Sequence, residues 1–172
     1  MKTILIAVCA LLAISAANPC FSQKTKAEKK KEKAALIKSI VVDSQHYVFE
    51  PQTALPTTGG SRSLSYGYQL LVSKNKIESY LPYFGRAYTA DYGSTQSPLE
   101  FNSTDFTYTL TDRKKGGWDI KIEYKDTKDG VKMMLTVFDS GSASLQVMSN
   151  NRQPISFNGY VEAVKPSKKD KD

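Results

Sequence analysis

From Phe106 to Val161 the chain repeats one pattern five times: apolar and polar residues alternate strictly, and a cluster of turn-forming residues follows. The apolar sets are Phe106, Tyr108 and Leu110, then Trp118, Ile120, Ile122 and Tyr124, then Val131, Met133, Leu135 and Val137, then Ala143, Leu145 and Val147, and finally Ile155, Phe157 and Val161. A period of two puts every second side chain on one face, which describes half-buried β-strands and excludes amphipathic helices. Arg113 to Gly117, Asp129-Gly130, Ser140-Gly141 and Ser149 to Gln153 supply the turns, and Asp-Gly is the strongest hairpin signal among them.

The same reading extends upstream. His46 to Glu50 is a short strand, after which Pro51 and Pro56 allow only an edge or irregular segment. Thr57 to Ser63 is a Gly-Gly loop. Leu64, Tyr66, Tyr68, Leu70 and Val72 alternate with Ser65, Gly67 and Gln69 as one strand, Lys74-Asn75-Lys76 turns the chain, and Ile77 to Tyr83 answers. Ser94 to Pro98 is a loop before a short strand through Leu99 and Phe101. The expectation is a mainly β domain of eight or nine antiparallel strands with one N-terminal helix. Such a chain buries one face by closing into a barrel or folding into a sandwich, and sequential hairpins lean towards an up-and-down arrangement over a Greek key. Periodicity does not choose between barrel and sandwich.

The N-terminus sets the compartment. Lys2 is followed by an apolar run from Ile4 to Ala17, too short for a comfortable membrane span of about 20 residues. Cys20-Phe21-Ser22 precedes Gln23, which suits cleavage before Gln23; cleavage after Ala16 or Ala17 competes. Residues 1–22 read as a signal peptide for export to the periplasm. A lipoprotein cysteine at Cys20 is disfavoured because Pro19 precedes it. Cleavage before Gln23 would remove Cys9 and Cys20, so no disulfide would staple the mature domain.

Lys24 to about Val42 follows as good helix formers without Gly or Pro, with Ala34, Ile37 and Val41 at helical spacing and Leu36 and Ile40 on the adjoining row. Asp43-Ser44 ends the helix, and the β-branched Ile40-Val41-Val42 leaves a strand as the alternative there. The organisation is thus a signal peptide (1–22), a lysine-rich helix (23–38), a β domain (39–164) and a basic tail (165–172).

Charge divides along the same lines. The formal net charge of +7 is suggestive of nucleic-acid binding, yet it is concentrated at the ends. Lys24 to Lys38 carries seven lysines against Glu28 and Glu32, and the tail carries four against two aspartates. Ser39 to Val164 is close to neutral, at −1. The basic segments lack the arginine-aromatic interleaving that stacks bases, so no nucleic-acid partner is expected. A membrane-surface contact through Lys24 to Lys38 is the functional reading of that run, beside a merely solvated helix face.

The chemical inventory is thin. With His46 as the single histidine and no Gly-x-Ser-x-Gly elbow, a Ser-His-Asp device is not expected. No metal site is expected: Asp126 to Gly130 has Lys128 where a calcium loop needs a ligand, and no closing glutamate. Gly59-Gly60 lacks the lysine of a phosphate loop. Asn102-Ser103-Thr104 is a formal glycosylation sequon. No cofactor is implied.

Tyr80 to Tyr88, reading YLPYFGRAY, stands out, with Tyr92 close behind. Arg86 flanked by Tyr83, Tyr88 and Tyr92, with Arg152 as a second arginine, could hold an anionic or sugar ligand between a guanidinium fork and flat amphipathic rings. The structural reading, ranked ahead of it, is a corner in which Pro82 ends a strand, Gly85 permits a tight bend, the aromatics fill the core and Arg86 pairs internally.

Leu81-Pro82-Tyr83-Phe84-Gly85-Arg86-Ala87-Tyr88 resembles the motif of a domain family widespread in secreted proteins of Bacteroidetes. Ser140-Gly141-x-Ala143, Asn151-Arg152 and Phe157-x-Gly159 are similar as well, and the likeness covers nearly the whole mature chain. That resemblance implies export and a single domain, and brings no catalytic residue or cofactor.

Together these features suggest an exported, non-enzymatic β domain that binds a small ligand or a component of the cell envelope. A structural or assembly role in the envelope is the alternative, and a hydrolase the third.

Overall fold

The computed structural model describes residues 25–65, 67–88, 97–127 and 129–165. The expected export segment with both cysteines, Tyr92 and the tail beyond Lys165 lie outside the described residues.

The first element is α1 (Lys26–Lys38), started by a complete capping box: the Glu28 N–H donates to Thr25 Oγ1 at 3.2 Å, and the Thr25 N–H donates to Glu28 Oε2 at 2.8 Å. Ser39–Asp43 continues the helix in wider π-helical winding, closed by Ser44 N–H donating to the Ser39 carbonyl at 2.9 Å. The β-branched run Ile40-Val41-Val42 is therefore helical. Its strand alternative fails because Ile40 and Val41 join Ile37 in the apolar core.

Ten strands follow: β1 (Tyr47–Pro56), β2 (Arg62–Ser63), β3 (Gln69–Val72), β4 (Ile77–Tyr80), β5 (Glu100–Ser103), β6 (Phe106–Asp112), β7 (Trp118–Tyr124), β8 (Lys132–Val137), β9 (Ser142–Ser149) and β10 (Arg152–Glu162). Nine of them pair in the order β5-β4-β3-β1-β10-β9-β8-β7-β6, all antiparallel, and β2 pairs with β1. This is an up-and-down, nearly closed barrel-like sheet.

Closure follows from parity. Eight antiparallel steps separate β5 from β6, so the two edge strands run in the same direction. Only Thr104 and Asp105 lie between them, and three Cα–Cα steps span at most about 11 Å. The shared direction excludes a hairpin and the short link excludes a crossover, so β6 continues β5 after a bend. One bent run, 100–112, pairs with β4 through its first half and with β7 through its second. The wall is closed by a strand shared between two partners rather than by a β5–β6 ladder.

Asp126, just past β7, pins that bend. Its carboxylate accepts the Ser103 hydroxyl at 2.6 Å and the Thr104 and Asp105 N–H groups at 3.1 and 3.3 Å. The Ser103 hydroxyl first, and then those N–H groups, hold the Asp126 carboxyl below its ordinary value of 3.8. A depressed native value means stability that is present at neutral pH and lost as pH falls through it. Asp126→Asn, which keeps one accepting oxygen but puts an NH2 donor where the Thr104 and Asp105 N–H groups or the Ser103 hydroxyl donate, should be less stable than the parent at neutral pH. The two unfolding curves should converge as pH drops below 3.8, followed by Trp118 fluorescence; curves that stay parallel would count against this role.

The apolar sets read from the sequence line the interior. Tyr47, Phe49, Ile122, Met133, Val137, Leu145 and Phe157 are fully buried. At the lower end, where β1 begins, Ile37, Ile40 and Val41 plug the mouth; the space beside Gly141 in the β8–β9 turn is filled by Ile37.

Three expectations change. β1 is a central strand despite Pro51, bonded to β10 on one side and to β2 and β3 on the other. The proline is tolerated because the register shifts between Pro51 and Thr53, and a bulge has no ladder hydrogen bond to lose there. Pro154 sits at a matching shift between Arg152 and Ile155. Of the single strand expected from Leu64 to Val72 only Gln69–Val72 forms, as β3, after Gly67 at φ 113°, a conformation incompatible with strand, while β2 falls in the expected Thr57 to Ser63 loop. Finally, β4 stops at Tyr80 rather than Tyr83, and Pro82 carries no ladder bond beyond it.

Candidate functional site

The aromatic motif forms a strap across the upper end of the barrel. Ala87 bridges Arg152, the Tyr88 N–H donates to the Asn151 carbonyl at 2.8 Å, and the Gln153 N–H donates to the Arg86 carbonyl at 3.1 Å. Tyr83 locks it: its hydroxyl lies 2.9 Å from the Gln153 carbonyl and 3.0 Å from the Arg86 carbonyl, a shared donation. Burial pushes the Tyr83 phenol above its ordinary value. Gly85 passes directly over the Tyr83 ring, where a Cβ would clash with the phenol.

Two of the expected site residues meet here. The Arg152 guanidinium lies 5.7 Å from the Tyr83 ring centre, and its Nε is 3.4 Å from Asp129 Oδ2. Asn151 Nδ2 donates to the other Asp129 oxygen at 3.0 Å. Arg152 and Asp129 are largely enclosed, with side-chain exposures of 14% and 22%. This network ties the strap to the β7–β8 and β9–β10 turns. Arg86 and Tyr88 are not drawn into it: both side chains are exposed, Tyr88 to 66%. Tyr92 lies outside the described residues.

A second feature was not singled out by the sequence reading. On the outer wall, where β8, β9, β10 and β1 run side by side, a groove of about 350 Å³ opens between Phe138 and Tyr160. Its floor and sides come from Gln52, Thr53, Ser142, Ser144 and Asn158, with the backbone of Ala143 and Gly159. Register explains the grouping: Tyr160 pairs with Ser142 and Glu50, and Asn158 with Ser144 and Thr53. Phe138 and Tyr160 remain 41% and 50% exposed. Gly159, an inward position of β10, lets that strand lie close against the bulge of β1, with Glu50 and Pro51 backbone where a side chain would start.

None of the nine lining residues is charged, in a chain of which 24% is Asp, Glu, Lys or Arg. The neighbouring strand β7, bonded to β8, shows the contrast. Outward positions of β7 are Asp119, Lys121 and Glu123; Glu123 lies 3.1 Å from both Lys121 and Lys132, and those lysines hold its carboxyl below the ordinary range. Outward positions of β9 and β10 read Ser142, Ser144, Gln146, Met148 and Ser156, Asn158, Tyr160, with a charge only at the end of β10, Glu162. That lack of charge on strands of strict alternation was the available sequence signal. A smaller hollow of about 250 Å³ lies between the β1 bulge and the chain entering β3, beside Glu50, Gln52, Tyr68 and Gln69.

Neither feature presents the parts of a metal centre. Among the described residues no three His, Cys, Asp or Glu side chains gather to hold an ion, and Asp126 directs its oxygens at Ser103, Thr104 and Asp105. Among those residues, too, no helix is long and apolar enough to cross a membrane.

Comparison with known proteins agrees with the fold. A family model described as Domain of unknown function (DUF4251) matches residues 26–161. A crystal structure of a DUF4251 family protein from Bacteroides eggerthii DSM 20697 superposes with a TM-score of 0.51 at 13% identity, over 78% of this chain and 87% of that one. No curated protein matches the chain.

Proposed function

We propose that this chain, which belongs to the DUF4251 family, is an exported, non-enzymatic binding domain that holds a neutral carbohydrate on the outer wall of its barrel. Export is supported by the cationic start, the apolar run to Ala17 and the small residues before Gln23. The observation that carries the binding reading is the uncharged groove between Phe138 and Tyr160.

The chemistry of that groove suits a sugar. A pyranose ring offers an apolar C–H face and a rim of hydroxyls. Half-exposed aromatic rings complement the face, while amides and hydroxyls, each both donor and acceptor capacity, complement the rim. Tyr160 and Phe138 supply the first; Asn158, Gln52, Thr53, Ser142 and Ser144 supply the second. A charged ligand would lose hydration here with no counter-charge to offset it. The groove is open to solvent, so more than one sugar unit can lie in it.

Titration of the exported protein with cellohexaose, maltohexaose and xylohexaose, followed by amide shifts, tests this. At least one should bind with a dissociation constant on the order of a millimolar or tighter, the affinity range of about −4 kcal/mol or better. Shifts should centre on Thr53, Ser144, Asn158 and Tyr160. Tyr160→Ala should weaken binding about tenfold, equivalent to about 1.4 kcal/mol, whereas Thr109→Ala on the opposite wall should leave it unchanged. Absence of saturable shifts with all three hexaoses would overturn the carbohydrate reading.

A further inference from the structure

We infer that the hollow beside Glu50 seats one ammonium group of a linear polyamine whose chain runs across β3 and β4 to Glu100. This stands independently of what the groove binds.

The hollow is a break in the wall. β3 pairs with β1 as far as Phe49, and β2 pairs with it only from Thr53. The β1 bulge between them, Glu50 to Gln52, therefore has no strand on that side. Leu64 closes the gap, its N–H donating to the Gln52 carbonyl at 2.9 Å. Among the described residues, the Glu50 carboxyl is the one charged group that lines the opening. It is partly buried, and it forms no hydrogen bond or ion pair among those residues. Outward carboxylates on the neighbouring turn of the pattern are paired instead, Glu78 with Lys76 at 2.7 Å and Glu162 with Lys165 at 3.6 Å.

A carboxylate withdrawn from water gains most from a cation that also donates hydrogen bonds, and an ammonium group does both. The amide oxygens of Gln52 and Gln69 offer it further acceptors, and the Tyr68 ring offers a π-face.

Register fixes where the rest of the ligand lies. Tyr80 pairs with Glu100 on one side and with Gln69 on the other. The β1–β3 register, continued by one residue, sets Gln69 opposite Glu50. Glu100, Tyr80, Gln69 and Glu50 thus form one row on the outer face of four adjacent strands, and three spacings of about 4.8 Å put its two carboxylates about 14 Å apart. Glu100 is exposed, and its side chain too has no ion pair among the described residues. Between them Tyr80 is 46% exposed, with Tyr68 stacked on it at 5.7 Å between ring centres. A carboxylate at each end and a flat apolar ring between them complement a chain with an ammonium at each end and methylenes between.

Other ligands fit less well. An anion would meet two carboxylates. A metal ion needs several ligands at one point, and the described residues gather no such set. Residues 39–164 carry a charge of only −1, so the domain has little general attraction for cations and binding requires this local arrangement.

Titration of the exported protein with spermidine in about 0.15 M salt, followed by amide shifts, tests the inference. Spermidine should saturate with a dissociation constant of about a millimolar or tighter, with shifts centred on Glu50, Gln52, Gln69 and Tyr80. Propylammonium, which engages one carboxylate, should bind at least about tenfold more weakly, and 1-propanol should give no saturable shift. Glu50→Gln should weaken spermidine at least about tenfold. Glu100→Gln should bring spermidine down to the level of propylammonium while leaving propylammonium unchanged. Asp112→Asn on β6 should bind as the parent does. Spectra of the two glutamate variants should match the parent away from the substituted residue, since neither carboxyl holds a contact in the fold. Spermidine shifts that do not saturate overturn the inference, as does parental affinity in Glu50→Gln or Glu100→Gln. Equal affinity for spermidine and propylammonium overturns the polyamine class. A protein that binds a hexaose and ignores spermidine would keep the groove reading and lose this one.

Discussion

Replacing Gly159 with valine is expected to cost about 3 kcal/mol or more, beyond the usual range for a surface-strand substitution. Gly159 faces Pro51 in the β1–β10 pairing, beside the register shift that lets a central strand accept a proline. A Cβ at this position would run into the Glu50 carbonyl oxygen and come within 2.8 Å of Pro51 Cα. Both obstacles are backbone, so neither can rotate aside; β1 would have to move away from β10 along its longest pairing. In denaturant unfolding the midpoint should fall with little change in slope, because the same surface is exposed by the same transition. Gly60→Ala is the matched control. Nothing lies within 4 Å of a Cβ there, and its effect should stay within about 0.5 kcal/mol. A Gly159→Val protein as stable as the parent would mean that the bulge is not held against β10.

Tyr124→Ala is expected to cost about 3–5 kcal/mol, the range for deleting a large buried aromatic ring. The side chain sits where the wall closes. Phe101 of β5 packs edge-on at 5.0 Å between ring centres, and Phe106 of β6 lies at 6.4 Å. One ring thereby touches both halves of the bent run, and its hydroxyl reaches Met133 Sδ at 3.3 Å inside the barrel. Burial pushes the phenol well above its ordinary value, so it remains neutral at every working pH. Truncation should leave a cavity at the seam and detach β5, the short strand at one end of the sheet. Amide exchange should then accelerate first in 100–106, ahead of β8 and β9. Tyr124→Phe keeps both ring contacts and should cost about 1 kcal/mol or less. Uniform loss of protection across the sheet would show instead that the seam is no weaker than the rest.

Particular residues show where sequence reasoning reached and where it stopped. The sets at 118–124, 131–137 and 143–147 were legible because alternation is a local property: each face follows from the pleat, whatever the strand later pairs with. Gly130, at φ 55°, turns the β7–β8 hairpin where Asp-Gly stood. Pro51 was misread for the same local reason. A proline excludes a ladder bond, and only the partner strand decides whether a bulge absorbs that loss. Gly67 broke a run whose alternation looked continuous, since a positive φ leaves no mark in a hydrophobic pattern. At the motif, Tyr83 and Arg152 were named together without any means of knowing that Asp129 and the Gln153 carbonyl complete their network.

By itself the sequence determined an antiparallel chain of short strands behind one helix, the side chains that face inward, and a charge confined to its ends. Those follow from period, turn chemistry and composition, each of which acts over a few residues. Tertiary structure alone decided that the sheet nearly closes, because closure depends on the parity of pairings across the whole chain and on a two-residue bend held by Asp126. It alone assembled the groove, whose walls are 52–53, 138, 142–144 and 158–160. Segments more than 100 residues apart become neighbours when the first strand pairs with the last, and no local pattern encodes that pairing.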